Sequence, residues 1–248
     1  MATAGIILIG DELLSGQTSD ANLPYMAPKL FEKGVHLQEV SFIPDQLIQI
    51  IETVRRFSSL YTYVFTTGGI GPTHDDITAQ AVAEAFNVPL ELNQTALEWM
   101  ARHYGDPTSP EMQKGRERMA TMPKGVELID NPVTGAAGFK VHNVFVMAGI
   151  PLVMRGMFDT ILPTIKGKDP KQMRHVFCTI AESHIAKPLG ELQNQYPEVE
   201  IGSYPQWQSK ISHDLCITLK SAQPELLEQV TQMVFDICQS LNGNPRKN

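Results

Sequence analysis

Three strand-length apolar runs occupy residues 4–9, 37–43 and 63–67, rich in β-branched and aromatic residues and bounded by Gly, Asp or Pro. Helical patterns lie between them. Residues 22–32 run to Gly34, which suits the C′ position of a helix. Asp45 stands as a cap before 46–57, where Leu47, Ile50, Ile51 and Val54 share one face. A further helix over 77–86 follows the third strand directly. Residues 127–147 carry two or three short strands around Gly135 and Gly138, and 152–165 reads as a helix. The β-α-β-α-β order with short connections predicts an α/β fold, a three-layer α/β/α sandwich around a mostly parallel sheet. Beyond the polar segment from Gly167 to Lys171, which holds a Gly and a Pro, the pattern changes to strand 175–180, helix 189–196, strands 199–204 and 215–219, and helix 224–241. That is a small α+β module. The domains are therefore expected at 1–166 and 172–248.

Composition narrows the class. No segment approaches the roughly 18 uninterrupted apolar residues of a spanning helix, so no membrane association is expected. No basic region precedes the aliphatic run Ile6 to Ile9, which argues against a signal peptide and for a cytoplasmic protein. Cys178, Cys216 and Cys238 lack CxxC spacing and are expected as buried free thiols. Residues 1–165 hold 11 Lys+Arg and 18 Asp+Glu, a balance of −7, and 166–248 hold 9 of each. Neither part is a basic nucleic-acid footprint. An anionic ligand at the acidic part needs local backbone donors or a bound cation.

The chemistry concentrates in Thr66-Thr67-Gly68-Gly69-Ile70-Gly71-Pro72-Thr73-His74-Asp75-Asp76-Ile77-Thr78, which leaves a strand, turns through three glycines and enters a helix. Glycines allow close backbone approach, and the free N–H groups of a helix start suit phosphate. Asp75 and Asp76 fit such a cradle when a divalent cation stands between them and the ligand; otherwise they are helix caps. A second cluster, Gly10-Asp11-Glu12-Leu13-Leu14-Ser15-Gly16 with Asp20 and Asn22, follows the first strand. In a parallel sheet both clusters reach the same carboxyl-end edge. Asp20 or Asn22 also suits an ordinary cap. The charged residues of 111–124, Arg118 among them, read as a solvated helix face.

These two motifs in this order resemble the N-terminal domain of the CinA family, itself similar to the MogA/MoaB molybdopterin-binding fold. Asn131-Pro132-Val133-Thr134-Gly135-Ala136-Ala137-Gly138-Phe139 and Gly149-Ile150-Pro151 with Met157-Phe158 extend the resemblance over nearly all of 4–165. The molybdopterin-binding-like domain of eukaryotic FAD synthases looks similar, and the C-terminal module resembles the KH-like module that follows in CinA. Two departures stand out. The amidase domain of long CinA proteins has no counterpart here, so deamidase activity is not carried over. Val153 stands where many relatives have a carboxylate.

The resemblance implies a metal-dependent hydrolase of nucleotide pyrophosphates such as ADP-ribose or FAD, using Mg²⁺, Mn²⁺ or Co²⁺ with potassium, in a homo-oligomer, dimer or trimer. On this reading Asp11 and Asp76 are catalytic, and Asp75, Asp76 and Asp11 hold the metal. Gly68, Gly69, Gly71, Thr73, Thr78, Asn22, Asn131 and Gly135 bind phosphate or nucleotide. The alternative is a non-hydrolytic molybdopterin or nucleotide binder linked to molybdenum cofactor or to competence and damage-inducible functions. RNA binding is not expected, because Gly190-Glu191-Leu192-Gln193 lacks the second glycine of a GxxG loop and the module is neutral.

Overall fold

The computed structural model describes residues 2–168, 170–206 and 214–247; Asp169, inside the expected linker, lies outside them, as do Met1, 207–213 and Asn248. The chain forms two compact units, residues 1–168 and 169–248.

The first unit begins with β1 (Ala2–Ile9), α1 (Asp11–Leu14), α2 (Leu23–Glu32), β2 (Val35–Ile43), α3 (Leu47–Leu60), β3 (Tyr63–Thr67) and α4 (Thr78–Phe86). It continues with β4 (Leu90–Leu92), α5 (Gln94–Tyr104), α6 (Pro110–Ala120), β5 (Thr121–Pro123), β6 (Glu127–Ile129), β7 (Gly138–Val141), β8 (Val144–Met147) and α7 (Pro151–Ile161). Six strands form one sheet in the order β2-β1-β3-β8-β7-β6. The first four are parallel, and β7 and β6 are added antiparallel. The mostly parallel sandwich expected from the sequence is what forms.

Both faces of the central strands are buried, which is why they read as continuous apolar runs. Ile7, Ile9, Val64, Val144 and Val146 face Ile50, Val54 and Phe57 of α3 and Ala81 and Val82 of α4. Ala4, Ile6, Leu8, Phe65 and Phe145 face Met26 and Leu30 of α2 and Met154, Met157 and Phe158 of α7. A β-carbon at Gly5 would stand 2.4 Å from the Phe57 ring, so this strand glycine makes room for a side chain whose full burial contributes about 2 kcal/mol. Gly34, at φ +70°, ends α2 as expected, its N–H donating to Phe31 O at 2.9 Å.

Two capping assignments change. Gln46, in extended conformation, precedes α3 without a side-chain cap, so Asp45 is not that cap. Ile77 precedes α4, again without a side-chain cap, so neither Asp75 nor Asp76 caps it. Asp20 does fill the role the sequence offered it: its carboxylate accepts from Asn22 N (3.1 Å) and Leu23 N (2.9 Å) at the start of α2.

The second unit runs β9 (Gln172–Cys178), α8 (Glu182–Gln195), β10 (Glu200–Gln206), β11 (Asp214–Ser221), α9 (Pro224–Ser240) and β12 (Arg246–Lys247), with an antiparallel sheet in the order β10-β11-β9-β12. It is an α+β module as expected. The KH comparison is corrected, because βαββαβ connectivity with this strand order is the split βαβ, ferredoxin-like arrangement. α8 starts seven residues before the expected 189. It runs through Pro188 because Ile185, Leu189 and Leu192 bury one stripe across it. All three cysteines are buried, and none is in a disulfide among the described residues. A hydrogen bond with Cys178, followed by burial, pushes the Cys238 thiol upward. Among the described residues no helix is long and apolar enough to cross a membrane.

Candidate functional site

The parallel strands deliver three loops to one edge: Gly10–Asp11 after β1, Asp45 after β2 and the glycine turn after β3. The turn is built by close approach. At Gly68, φ is +103° and a β-carbon would lie 2.2 Å from Ile9 O; at Gly69, φ is +69° and it would lie 2.1 Å from Thr78 Oγ1. Only glycine is accommodated at these two positions. The Gly68 N–H donates to Met147 O at 3.1 Å, extending the β3–β8 ladder into the turn. Gly68 is therefore no phosphate donor, which corrects its expected role. Thr78 is corrected too. Its hydroxyl is fully buried and donates to Gly68 O at 3.0 Å, while its N–H donates to Gly69 O at 2.9 Å. Thr78 fixes the turn from behind and presents no hydroxyl to a ligand.

What remains open are the amides of Gly69, Ile70 and Gly71, which make no hydrogen bond among the described residues. Beside them, Asp76 folds back on the turn. Its Oδ2 accepts from Thr73 N at 2.8 Å, and a β-carbon at Gly71 would lie 2.7 Å from the same oxygen. The Thr73 hydroxyl lies 2.6 Å from both Asp75 Oδ1 and Asp76 Oδ2, so two carboxylates converge on one hydroxyl that has a single proton to give. Thr73 thus gathers the aspartates, and its hydroxyl is engaged with them. The Thr73 hydroxyl, more than any other group, holds the Asp75 carboxyl below the usual carboxylate range. His74 between them is almost fully exposed.

Asp11 opens α1, and its N–H donates to Asp45 Oδ2 at 3.0 Å. Burial first, then the charges of Asp11, Glu12 and Asp75, push the Asp45 carboxyl up against the pull of that hydrogen bond. Asp45 thereby links the β1 and β3 loops electrostatically. The sequence reading missed it, although an aspartate directly after the second parallel strand was the available signal. Arg118 of α6 was missed as well: far from being only a solvated face, it donates to His74 O at 3.0 Å, holding α6 on the acidic loop.

Asn22 is buried beside the turn, its amide donating to Gly149 O at 2.9 Å and to Thr67 Oγ1 at 3.4 Å. Its Oδ1 is buried and has no donor among the described residues. The side chain of Asn131 and the amide of Gly135 are corrected from phosphate contacts to loop construction. Asn131 Nδ2 donates to Thr134 Oγ1 and Ala136 O, its Oδ1 accepts from Val133 N and Thr134 N, and its carbonyl accepts from Gly135 N. Every polar group of that side chain is occupied within its own loop. Val153 is buried among Met26, Met154 and Phe158, so its position delivers no group to this edge.

The donor set fits a hard divalent cation in kind, all carboxylate and hydroxyl oxygen. Among the described residues no three His, Cys, Asp or Glu side chains form a ready ligand cluster. Such a set suits Mg²⁺-type binding, in which one or two carboxylates share the ion with phosphate oxygens and water.

Residues 5–167 match the family described as probable molybdopterin binding domain, and residues 170–241 match the FAD synthase middle domain. An Archaeoglobus fulgidus protein is 36% identical over 81% of this chain and 84% of its own length. A CinA-like protein of Citrifermentans bemidjiense is 35% identical over 74% of this chain and 46% of its own. A probable FAD synthase of Caenorhabditis briggsae is 28% identical over 92% and 48%. The chain thus spans about half the length of the CinA-like and FAD synthase relatives. The crystal structure of CinA from Thermoplasma acidophilum, described as of unknown function, superposes with a TM-score of 0.60 at 27% identity, over 66% of this chain and 99% of that one. With a strand-end glycine turn on a CinA-like sandwich and a match over 5–167, the chain belongs to the family of probable molybdopterin binding domains.

Proposed function

We propose that the strand-end edge of the first unit binds a nucleotide-type pyrophosphate together with a divalent cation, Mg²⁺, Mn²⁺ or Co²⁺, and hydrolyses its phosphoanhydride, with ADP-ribose and FAD as candidate substrates. One observation carries this reading: open amides at Gly69, Ile70 and Gly71 lie directly beside the paired carboxylates of Asp75 and Asp76. Amides alone suit an anion, and carboxylates alone suit a cation. Together they suit a metal–phosphate ligand.

Asp75 and Asp76 would hold a divalent cation, which when bound would neutralise the charge that develops on the phosphate oxygens. The amides of the turn orient those oxygens. Asp11, exposed at the start of α1, takes the proton of the attacking water. The water oxygen bonds to phosphorus, the anhydride P–O bond breaks, and the bridging oxygen leaves with the electron pair on the departing phosphate. Potassium is a further ion that the resemblance suggests for phosphate binding.

The test is AMP release from ADP-ribose and FAD with each metal, with and without potassium. Asp76→Asn is the key variant because its amide oxygen still accepts from Thr73 N while the charge is gone. Turnover is expected to fall roughly 100-fold or more. Undiminished turnover in Asp76→Asn overturns the metal role. A second reading, binding of a pterin or nucleotide without hydrolysis, is favoured by the family description and by the lack of a ready three-ligand cluster among the described residues. Tight binding of such a ligand by a wild-type protein that cleaves neither substrate would establish it.

A further inference from the structure

Helix α5 and the loop after β6 border a shallow, open cleft of about 550 Å³, with Trp99, Arg102, His103, Asp130, Asn131 and Gly135 in its lining. The loop comes this close to the helix because Gly135 has no side chain: a β-carbon there would stand 2.8 Å from His103 Cβ and 3.0 Å from Trp99 O. The cleft belongs to the same edge of the sheet as the glycine turn. β7 starts at Gly138 beside the end of β8, antiparallel to it, so the loop joining β6 to β7 lies at the carboxyl ends of the parallel strands.

α5 and α6 run along this edge. α6 packs on the acidic loop through Arg118 and through Gly115, whose β-carbon would lie 3.4 Å from Pro72 Cβ. α5 walls the cleft. From β3 to β6 is three strand spacings, roughly 14 Å at ~4.8 Å each. A diphosphate at the turn, with the sugar and base extended from it, covers a separation of that order.

The lining has the chemistry of a ring site. Trp99 is half-buried, packed in part on the core, and lines the cleft; an indole is a surface on which planar bases stack irrespective of their identity. Arg102 and Asp130 carry opposite charges in the same cleft, and neither makes an ion pair among the described residues. A guanidinium suits the acceptor edge of a heteroaromatic ring, and a carboxylate suits its amino or imino edge.

We propose that this cleft is a base subsite, which takes the planar heteroaromatic ring of a dinucleotide whose pyrophosphate lies at Gly69 to Gly71. It rests on the pyrophosphate reading above. Adenine and isoalloxazine share the required chemistry, and the probes separate them.

The experiment measures equilibrium binding of ADP-ribose, FAD and inorganic pyrophosphate, in the presence of Mg²⁺, to wild type, Trp99→Ala, Trp99→Phe and Arg102→Glu. Trp99→Ala is expected to weaken ADP-ribose or FAD roughly 5- to 100-fold, with Trp99→Phe close to wild type and pyrophosphate unchanged. Loss for both dinucleotides assigns adenine to the cleft, and loss for FAD alone assigns the flavin ring. Arg102→Glu, at an exposed position, reports on the same cleft if Trp99→Ala does not fold, and it is expected to weaken the same ligand at least about 5-fold. Wild-type affinity for both dinucleotides in a folded Trp99→Ala, or in Arg102→Glu if that variant does not fold, overturns the subsite and leaves the pyrophosphate reading standing. A wild type that binds none of the three probes overturns both.

Discussion

Two loops at the same sheet edge, 68–76 and 131–136, look alike in sequence, each leaving a strand and combining Gly with Pro, Thr and Asn or Asp. The structure separates them by where their polar groups go. In 131–136 the two donors and the acceptor oxygen of Asn131 are matched within five residues, so the loop has no side-chain polar group of Asn131 to offer a phosphate and can serve only as a wall. In 68–76 the back of the turn is equally complete, through Gly68 and Thr78, while its front keeps three amides open and two carboxylates crowded on one hydroxyl. A glycine loop signals close backbone approach; whether it binds phosphate depends on which of its polar groups are left unmatched.

The sharpest way to break this distinction is to remove the central side chain of the closed loop. Asn131→Ala strands two amides and two acceptors around a buried side chain and is expected to cost about 2–4 kcal/mol, lowering Tm by roughly 5–15 °C in thermal unfolding. Asp76→Asn should leave Tm almost unchanged and act on turnover instead. A stable Asn131→Ala with weakened ligand binding would return Asn131 to the site and erase the difference between the loops.

Much of this architecture is legible along the chain because its signals are local. Strands buried on both faces read as apolar runs, helices as stripes such as Ile50, Val54 and Phe57, and the edge where ligands bind follows from parallel order alone. What the sequence hides is pairing between distant residues. Nothing near Gly68 announces that its N–H meets Met147 O, and nothing near Asp45 announces that it reaches back 34 residues to Asp11. Asn131 was more readable, since an Asn accepting from the amides two and three residues on is a local turn pattern. In the second unit Pro188 hid the first two turns of α8, and the two-residue β12 is too short to carry a periodicity. The KH comparison rested on element types, whereas the strand order decides the topology.

The edge beside the open loop also carries an electrostatic strain, at Asp45 after β2. The Asp45 carboxyl is pushed above its ordinary value of 3.8 by burial and by Asp11, Glu12 and Asp75. A carboxyl with a raised folded pKa opposes folding once ionised. Its effect is absent below the unfolded pKa and becomes more unfavourable as pH rises through the folded value. Asp45→Asn, which still accepts from Asp11 N, is expected to raise Tm at pH 7 by roughly 1–4 °C, with the gain vanishing towards pH 4 and below. Melting curves across pH 3.5–7.5 read this directly. A gain that persists unchanged at pH 3.5 would assign the effect to packing and remove Asp45 from the acidic network.

The smallest expected effects compare two buried threonines within the β3 unit itself. Thr78 donates to Gly68 O, whereas Thr66, equally buried between Ile7 and Val146, has a hydroxyl without a partner among the described residues. Replacing a hydroxyl by a methyl keeps the shape, so the sign of the change reports only whether the hydroxyl was bonded. Thr78→Val is expected to lose about 1–2 kcal/mol and loosen the turn. Thr66→Val is expected to gain up to about 1 kcal/mol, a rise of roughly 2–4 °C in Tm. Opposite signs would show that the turn is held from behind by Thr78 specifically. Destabilisation of similar size in both would mean that Thr66 is bonded too, and that the closed side of the turn extends further into the strand.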